Sequence, residues 1–167
     1  MNKPLNTITL FFSLLLLQVF VFNNILFLEH INPYLYIAFV FLYPLKENRI
    51  PFLFYSFLLG LSIDFFSDSG GVHAFSILCI AYIRLFFVKL YFRKVVTDYA
   101  FFKLKSESFG KTFNYVVTLT IIHHLIYFSF ANFSFQNYSN VLLNTLYSSI
   151  FTLLLYFLGT YIFTKSE

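Results

Sequence analysis

Residues Gly60–Arg84 read GLSIDFFSDSGGVHAFSILCIAYIR. Apolar sequence runs into this stretch from Pro51 and out of it to Val88, while Asp64, Asp68, the Gly70-Gly71 pair and His73 crowd its middle. A double glycine beside Asp and Ser is a turn signal, so two apolar helices joined by a tight hairpin are expected here. Ionisable groups at the ends of apolar helices cost free energy, which makes them candidates for function.

Working outward, the composition sets the solvent. Hydrophobic residues make up 59% of the 167 and charged residues 11%, against about 45–50% and about 25% in soluble globular domains. A water-soluble fold of this length has too little interior to hide that surface, so an all-α integral membrane protein of one domain is expected. Aromatics reach 24% with no Trp, leaving Tyr to serve any interfacial belt. The single cysteine, Cys79, excludes an intramolecular disulfide and reads as a small packing residue.

Apolar runs predict six spans, at about 5–28, 33–45, 51–66, 71–90, 112–131 and 141–163. The first lacks a small-residue cleavage pattern and is read as retained. The second is short against the roughly 20 residues of a full crossing. Pro51 suits the first turn of the third. No internal repeat or linker interrupts the series, and neither end is long enough to fold alone.

The basic residues give a separate reading of topology. All of the eleven Lys and Arg except Arg84 fall in segments that six spans put on one side: Lys3; Lys46 and Arg49; Lys89, Arg93, Lys94, Lys103, Lys105 and Lys111; and Lys165. The positive-inside rule then predicts cytoplasmic termini. The connection 89–111 opposes its six basic residues with only Asp98 and Glu107, and so accounts for the formal charge of +4. Phe92, Val95, Val96, Tyr99 and Phe102 recur in it at helical spacing. That pattern predicts an amphipathic helix on anionic lipid, with protein docking as the alternative. No spacing supports nucleic-acid binding.

No convergent set of reactive groups points to an enzyme. The serines lack a nucleophile motif, Asp64 and Asp68 share one hairpin, and the seven acidic residues lie mostly in loops. His123-His124 point about 100° apart on a helix and read as hydrogen-bonding groups between helices, not as a metal site. No cofactor is expected. Arg84 is expected to snorkel toward the headgroups, or else to pair with an acidic residue. In the hairpin, Gly60 permits close approach of another helix and Asp64 shares its face. Asp68 or Ser69 is expected to cap the helix that starts at Gly71, His73 and Ala74. Asp64 is open to two readings that can hold together: accepting hydrogen bonds from the next helix, or contacting a partner or ligand.

The same stretch resembles the signature of the bacterial rod shape-determining MreD family. The resemblance rests on Gly60-Leu61, Asp64, the run Gly71-Val72-His73-Ala74 and Tyr82, and extends upstream through Asn32-Pro33 and Tyr43-Pro44-Leu45. Length and span number agree over the chain; from Phe92 onward only hydropathy and size match. The resemblance implies a non-catalytic plasma-membrane scaffold of the cell-elongation machinery. It would bind MreC and work beside MreB, a SEDS glycosyltransferase and a penicillin-binding transpeptidase in peptidoglycan synthesis. It also implies a six-helix bundle similar to the S components of energy-coupling factor transporters, with an outward pocket. Gly60, Asp64, Gly71, His73, Ala74 and Tyr82 would border that pocket or the MreC-contacting face. The alternative is a solute-binding subunit of a vitamin transporter.

Overall fold

Four prolines punctuate the chain. In the computed structural model, Pro4 and Pro51 stand in first turns of helices, while Pro33 and Pro44 bracket a short irregular segment. A missing N–H costs nothing in a first turn, where that donor has no intrahelical partner. The structure describes residues 3–25, 32–45, 49–93, 102, 104–132 and 138–165. The elements are α1 (Lys3–Phe20), α2 (Ala38–Leu42, preceded by a 3-10 turn at Leu35–Ile37), α3 (Ile50–Ser67), α4 (Val72–Phe92), α5 (Phe109–Ala131) and α6 (Tyr138–Lys165). There is no strand among the described residues.

Five stretches are long and apolar enough to cross a membrane: Asn6–Asn24, Ile50–Ser67, Val72–Phe92, Phe109–Ala131 and Tyr138–Ile162, with mean hydropathy from 1.3 to 1.8. They coincide with five of the six expected spans to within a few residues, apart from 26–28, which lie outside the described residues. Large apolar side chains line their outer faces, Phe12, Phe65, Phe86, Leu146 and Leu154 among them. Outward apolar surface of this kind is what a multi-pass membrane protein presents to lipid.

Side-chain contacts set the helix directions. Asn23, just past α1, hydrogen-bonds Ser67 at the end of α3, so these two run parallel. Phe92 meets Tyr115 while Phe75 meets Phe130, which makes α4 and α5 antiparallel. Phe113 stacks on Phe157, and His124 reaches Thr152, so α5 and α6 are antiparallel too. Arg49, Lys89, Arg93 and Lys111 consequently share one end of the bundle, and the 68–71 turn lies at the other.

The stretch expected as a second span, 33–45, has a different build from the other five. Its helical part, Leu35–Leu42, rises only about 13–14 Å, at about 2.0 Å per residue in the 3-10 turn and 1.5 Å in α2. Irregular backbone flanks it on both sides. Tyr36, Ile37, Phe39 and Val40 are fully buried, at the centre of the core. Its start lies at the hairpin end, where the Tyr34 N–H donates to Thr152 Oγ1. Its finish lies at the basic end, where Arg84 Nη2 donates to the Tyr43 carbonyl. Non-helical backbone at membrane depth is tolerated when protein buries it in this way.

Arg84 corrects both expectations for it. It is 2% exposed, so it does not snorkel, and it meets no carboxylate among the described residues; its guanidinium lies 4.8 Å over the Phe52 ring. The partners are a carbonyl and an aromatic face because the Tyr43-Pro44 bend turns that carbonyl inward. The predicted amphipathic helix falls largely outside the described residues, as do Lys94, Lys103 and the side chain of Lys105. Lys89, Arg93 and Lys111 are exposed.

The tightest backbone approach is between α3 and α4. A Cβ on Gly60 would sit 2.5 Å from Ala74 Cα and 2.7 Å from Ala74 N. Backbone cannot rotate away as a side chain can, so Gly60→Ala is expected to cost about 1–3 kcal/mol through overpacking. Gly159 in α6 has open space around its Cβ position, so Gly159→Ala is expected to be neutral or stabilising by about 0.5–1 kcal/mol. Thermal unfolding of both variants in detergent, followed by circular dichroism, checks the contrast; equal melting temperatures would contradict the close approach.

Candidate functional site

Helix α3 ends where Asp68 takes a left-handed conformation at φ 50°, and Gly70 and Gly71 follow at φ 66° and 91°. Glycine adopts such angles without a Cβ clash, which lets the chain reverse within four residues. The reversal brings the first turn of α4 back beside the last turns of α3. At that point α4 has free N–H groups, and Gly71 at its N-cap has no side chain to satisfy them.

Asp64 satisfies them from the neighbouring helix. Its Oδ1 accepts from the His73 N–H at 2.9 Å, and its Oδ2 from the Ala74 N–H at 2.8 Å. These are the donors an ordinary N-cap side chain would take. The Ser69 hydroxyl donates to Oδ1 at 2.5 Å, and His73 Nδ1 lies 3.0 Å from the same oxygen. A carboxylate only accepts, so Nδ1 carries the hydrogen of that pair. The expected cap from Asp68 or Ser69 is thereby corrected. Asp68 is exposed, pointing away in its left-handed turn, and Ser69 bonds the capping carboxylate instead of the helix.

A second polar network lies behind the cap. Gln18 holds the irregular segment on both sides: its Nε2 donates to the Pro33 carbonyl at 3.1 Å, and its Oε1 accepts from the Tyr36 N–H at 3.3 Å. His124 is fully assigned by its neighbours. Nδ1 lies 2.8 Å from the Thr120 carbonyl and must donate to it; Nε2 then accepts from Thr152 Oγ1 at 3.2 Å. Thr152 remains free to accept from the Tyr34 N–H. His123 turns the other way, its Nε2 2.7 Å from the Tyr36 hydroxyl. Both histidines thus hydrogen-bond between elements. No group of three or more His, Cys, Asp or Glu close enough for a metal occurs among the described residues.

Ser69, His73 and Asp64 are the three residue types of a hydrolytic triad, but not in its geometry. A triad places serine on one ring nitrogen and the carboxylate on the other. Here Ser69 Oγ, at 2.9 Å, and Asp64 both contact Nδ1, and the serine proton is given to Asp64. His73 Nε2 is buried without a hydrogen-bond partner. The arrangement is built to hold two helices together.

A polar cleft of ≈ 370 Å³ opens beside this cap. Asn23, Asn24 and Asn32 contribute amides to it, Ser67 and Ser69 hydroxyls, and Tyr34, Tyr127 and Phe66 aromatic rings; His73 lies against its wall. The Tyr34 and Tyr127 rings stand 4.5 Å apart between centroids, and Tyr127 is 4.8 Å from the His73 ring.

Of the sequence candidates, Gly60, Asp64, Gly71, His73 and Ala74 come together in one unit. Tyr82 does not: it lies midway along α4, 63% exposed, with the Arg49 guanidinium 5.5 Å from its ring centroid. Sequence reasoning missed Gln18, Asn23, Tyr34, Tyr36, Tyr127 and Thr152. A lone Gln or Thr in an apolar run is a weak signal, and only the fold shows that these converge.

No family model, no curated protein and no solved structure matches the chain.

Replacing Asp64 separates the cap from a surface charge. Asp64→Leu leaves the Ser69, His73 and Ala74 donors facing an apolar side chain, at an expected cost of about 3–5 kcal/mol. Asp64→Asn keeps one acceptor and is expected to cost about 1–3 kcal/mol. Asp68→Asn tolerates the left-handed turn and should stay within about 0.5 kcal/mol of the parent. Unfolding of the three variants in one detergent ranks them; an equal effect at positions 64 and 68 would remove the cap.

Proposed function

We infer that this chain is a non-catalytic bacterial plasma-membrane scaffold of the MreD type, crossing six times with both termini in the cytoplasm and capturing MreC. The observation that supports this best is what the resemblance residues do. Gly60, Asp64, Gly71, His73 and Ala74 serve one interlocked hairpin, where they pack and cap instead of presenting a nucleophile or a base. A rigid hairpin fixes the outward faces of α3 and α4, and a scaffold requires such surfaces. The segregation of Arg49, Lys89, Arg93 and Lys111 at one end agrees with the positive-inside rule, and on this reading the hairpin faces outward. The sixth crossing on this reading is the buried segment 33–45, shielded from lipid by its neighbours.

Since Gly60, Asp64, His73 and Ala74 are internal, the partner would meet exposed groups instead, among them Tyr82. MreB, a SEDS glycosyltransferase and a penicillin-binding transpeptidase would be reached through the wider assembly, and anionic lipid through the basic connection. A second reading, a solute-binding subunit similar to the S components of vitamin transporters, is favoured by the polar cleft at the hairpin end.

Two measurements check the first reading. In a Cys79→Ser background, Asn2→Cys and Ser166→Cys are both expected to resist an impermeant thiol reagent on intact cells, while Asn140→Cys reacts. Labelling of either terminus from outside overturns the six-crossing topology. Co-expressed MreC is expected to co-elute with the tagged chain. Tyr82→Ser should reduce that yield several-fold with the melting temperature unchanged. Absence of co-elution with the folded parent chain would refute the scaffold.

A further inference from the structure

We propose that the crevice at Arg84 receives a phosphate oxygen of an anionic phospholipid. The bend Tyr43–Leu45, Arg49 at the N-cap of α3, and Arg84 of α4 line it. Arg84 is buried, with its Nη2 donating to the Tyr43 carbonyl and its face on the Phe52 ring. Its Nε is buried without a hydrogen-bond partner. A carbonyl and a ring solvate a cation but do not neutralise it, and a buried charge is costly until an opposite charge joins it. Arg49 brings a second guanidinium to the same crevice. The start of α3 lies there too, so the positive end of its dipole adds to the potential. Glu47, in the adjoining stretch outside the described residues, offsets at most one of the two guanidiniums, and Lys46 beside it restores the balance.

Size and rim select the ligand. The space beside the guanidinium is ≈ 10 Å³, room for about one oxygen atom. An anion therefore enters by an oxygen and keeps the rest of its body outside. There the surface is apolar: Leu42, Ile50 and Phe86, each next in the chain to a lining residue, are exposed. A free phosphate ion leaves that surface bare, whereas a phospholipid lays its acyl chains on it with its phosphate at the arginines. The crevice belongs to the end of the bundle that also carries Lys89, Arg93 and Lys111, whose charge draws anionic heads toward it. The proposal rests on the membrane location alone, so capture of MreC and retention of a lipid are separate readouts that can fail independently.

The test is native mass spectrometry of the full chain in detergent that contains phosphatidylglycerol and phosphatidylcholine in equal amounts, with inorganic phosphate as a competitor. Phosphatidylcholine bears the same phosphate but a choline cation beside it, which the arginines repel. Phosphatidylglycerol is expected to be retained at least about tenfold over phosphatidylcholine, and inorganic phosphate not to displace it. Arg84→Gln removes a partner of the Tyr43 carbonyl from the core, so Arg49→Gln carries the test. Arg49 is half-buried and its side chain caps nothing; its replacement should lower retention at least about fivefold with the melting temperature unchanged. Lys89→Gln, which does not line the crevice, should change retention less than about twofold. Equal retention of the two lipids, or displacement by inorganic phosphate, would overturn the proposal. An equal loss in Lys89→Gln would overturn it as well, by reducing the site to the general attraction of the basic end. So would retention seen only in Glu47→Gln, because that carboxylate would then be the anion at the arginines.

Discussion

The carboxylate of Asp64 is the constraint on which the rest of this bundle depends. It lies inside the protein and takes four donors, two of them the N–H groups that α4 leaves free at its first turn. Buried without an acceptor, each of those N–H groups would cost about 1–3 kcal/mol. The helix dipole adds to the attraction, since its positive end faces the carboxylate. A cap supplied from the preceding helix does more than end a helix well: it pins α4 to α3 at one register. Gly60, one turn below Asp64, leaves out a Cβ that would hold the two backbones apart. Charge, turn and close approach are one device, and each requires the other two.

The same logic extends to the segment between α1 and α3. A stretch with so little regular helix exposes carbonyl and N–H groups that its own backbone does not satisfy. Gln18, Thr152 and Arg84 supply the missing partners from three different helices. Each such bond is worth about 0.6 kcal/mol on average between helices in a bilayer. Their importance here lies in position, because they fix where the segment sits. The aromatic side chains then fill the centre: Tyr36, Phe39 and Phe41 pack against rings from α1, α5 and α6.

Polar groups are consequently concentrated toward one end. The basic end offers Arg84 and its carbonyl, with a crevice of only ≈ 10 Å³ beside it. The hairpin end offers the cap, the histidine network and an open cleft. Thr145, Ser148 and Ser149 of α6 have buried hydroxyls with no hydrogen-bond partner among the described residues; small polar residues of this kind let helices approach closely. The cap and the cleft thus lie side by side at the hairpin end, sharing Ser69 and His73.

The sequence by itself determined the solvent, the five long helices, the hairpin and the residues that build it. Those features are local: hydropathy over about 20 residues, a Gly-Gly turn, and an Asp one turn from a glycine on the same face. It could not show which groups Asp64 would cap, since Asp68 and Ser69 stand nearer to α4 in the chain and the choice turned on the left-handed turn that points Asp68 outward. Nor could it show Arg84 turned inward to a carbonyl, the inner build of 33–45, or the cleft. Those depend on contacts such as Gln18 with Tyr36, Tyr34 with Thr152 and Tyr43 with Arg84, between residues distant in the chain. Periodicity carries no information about them, and only packing brings them within hydrogen-bonding range.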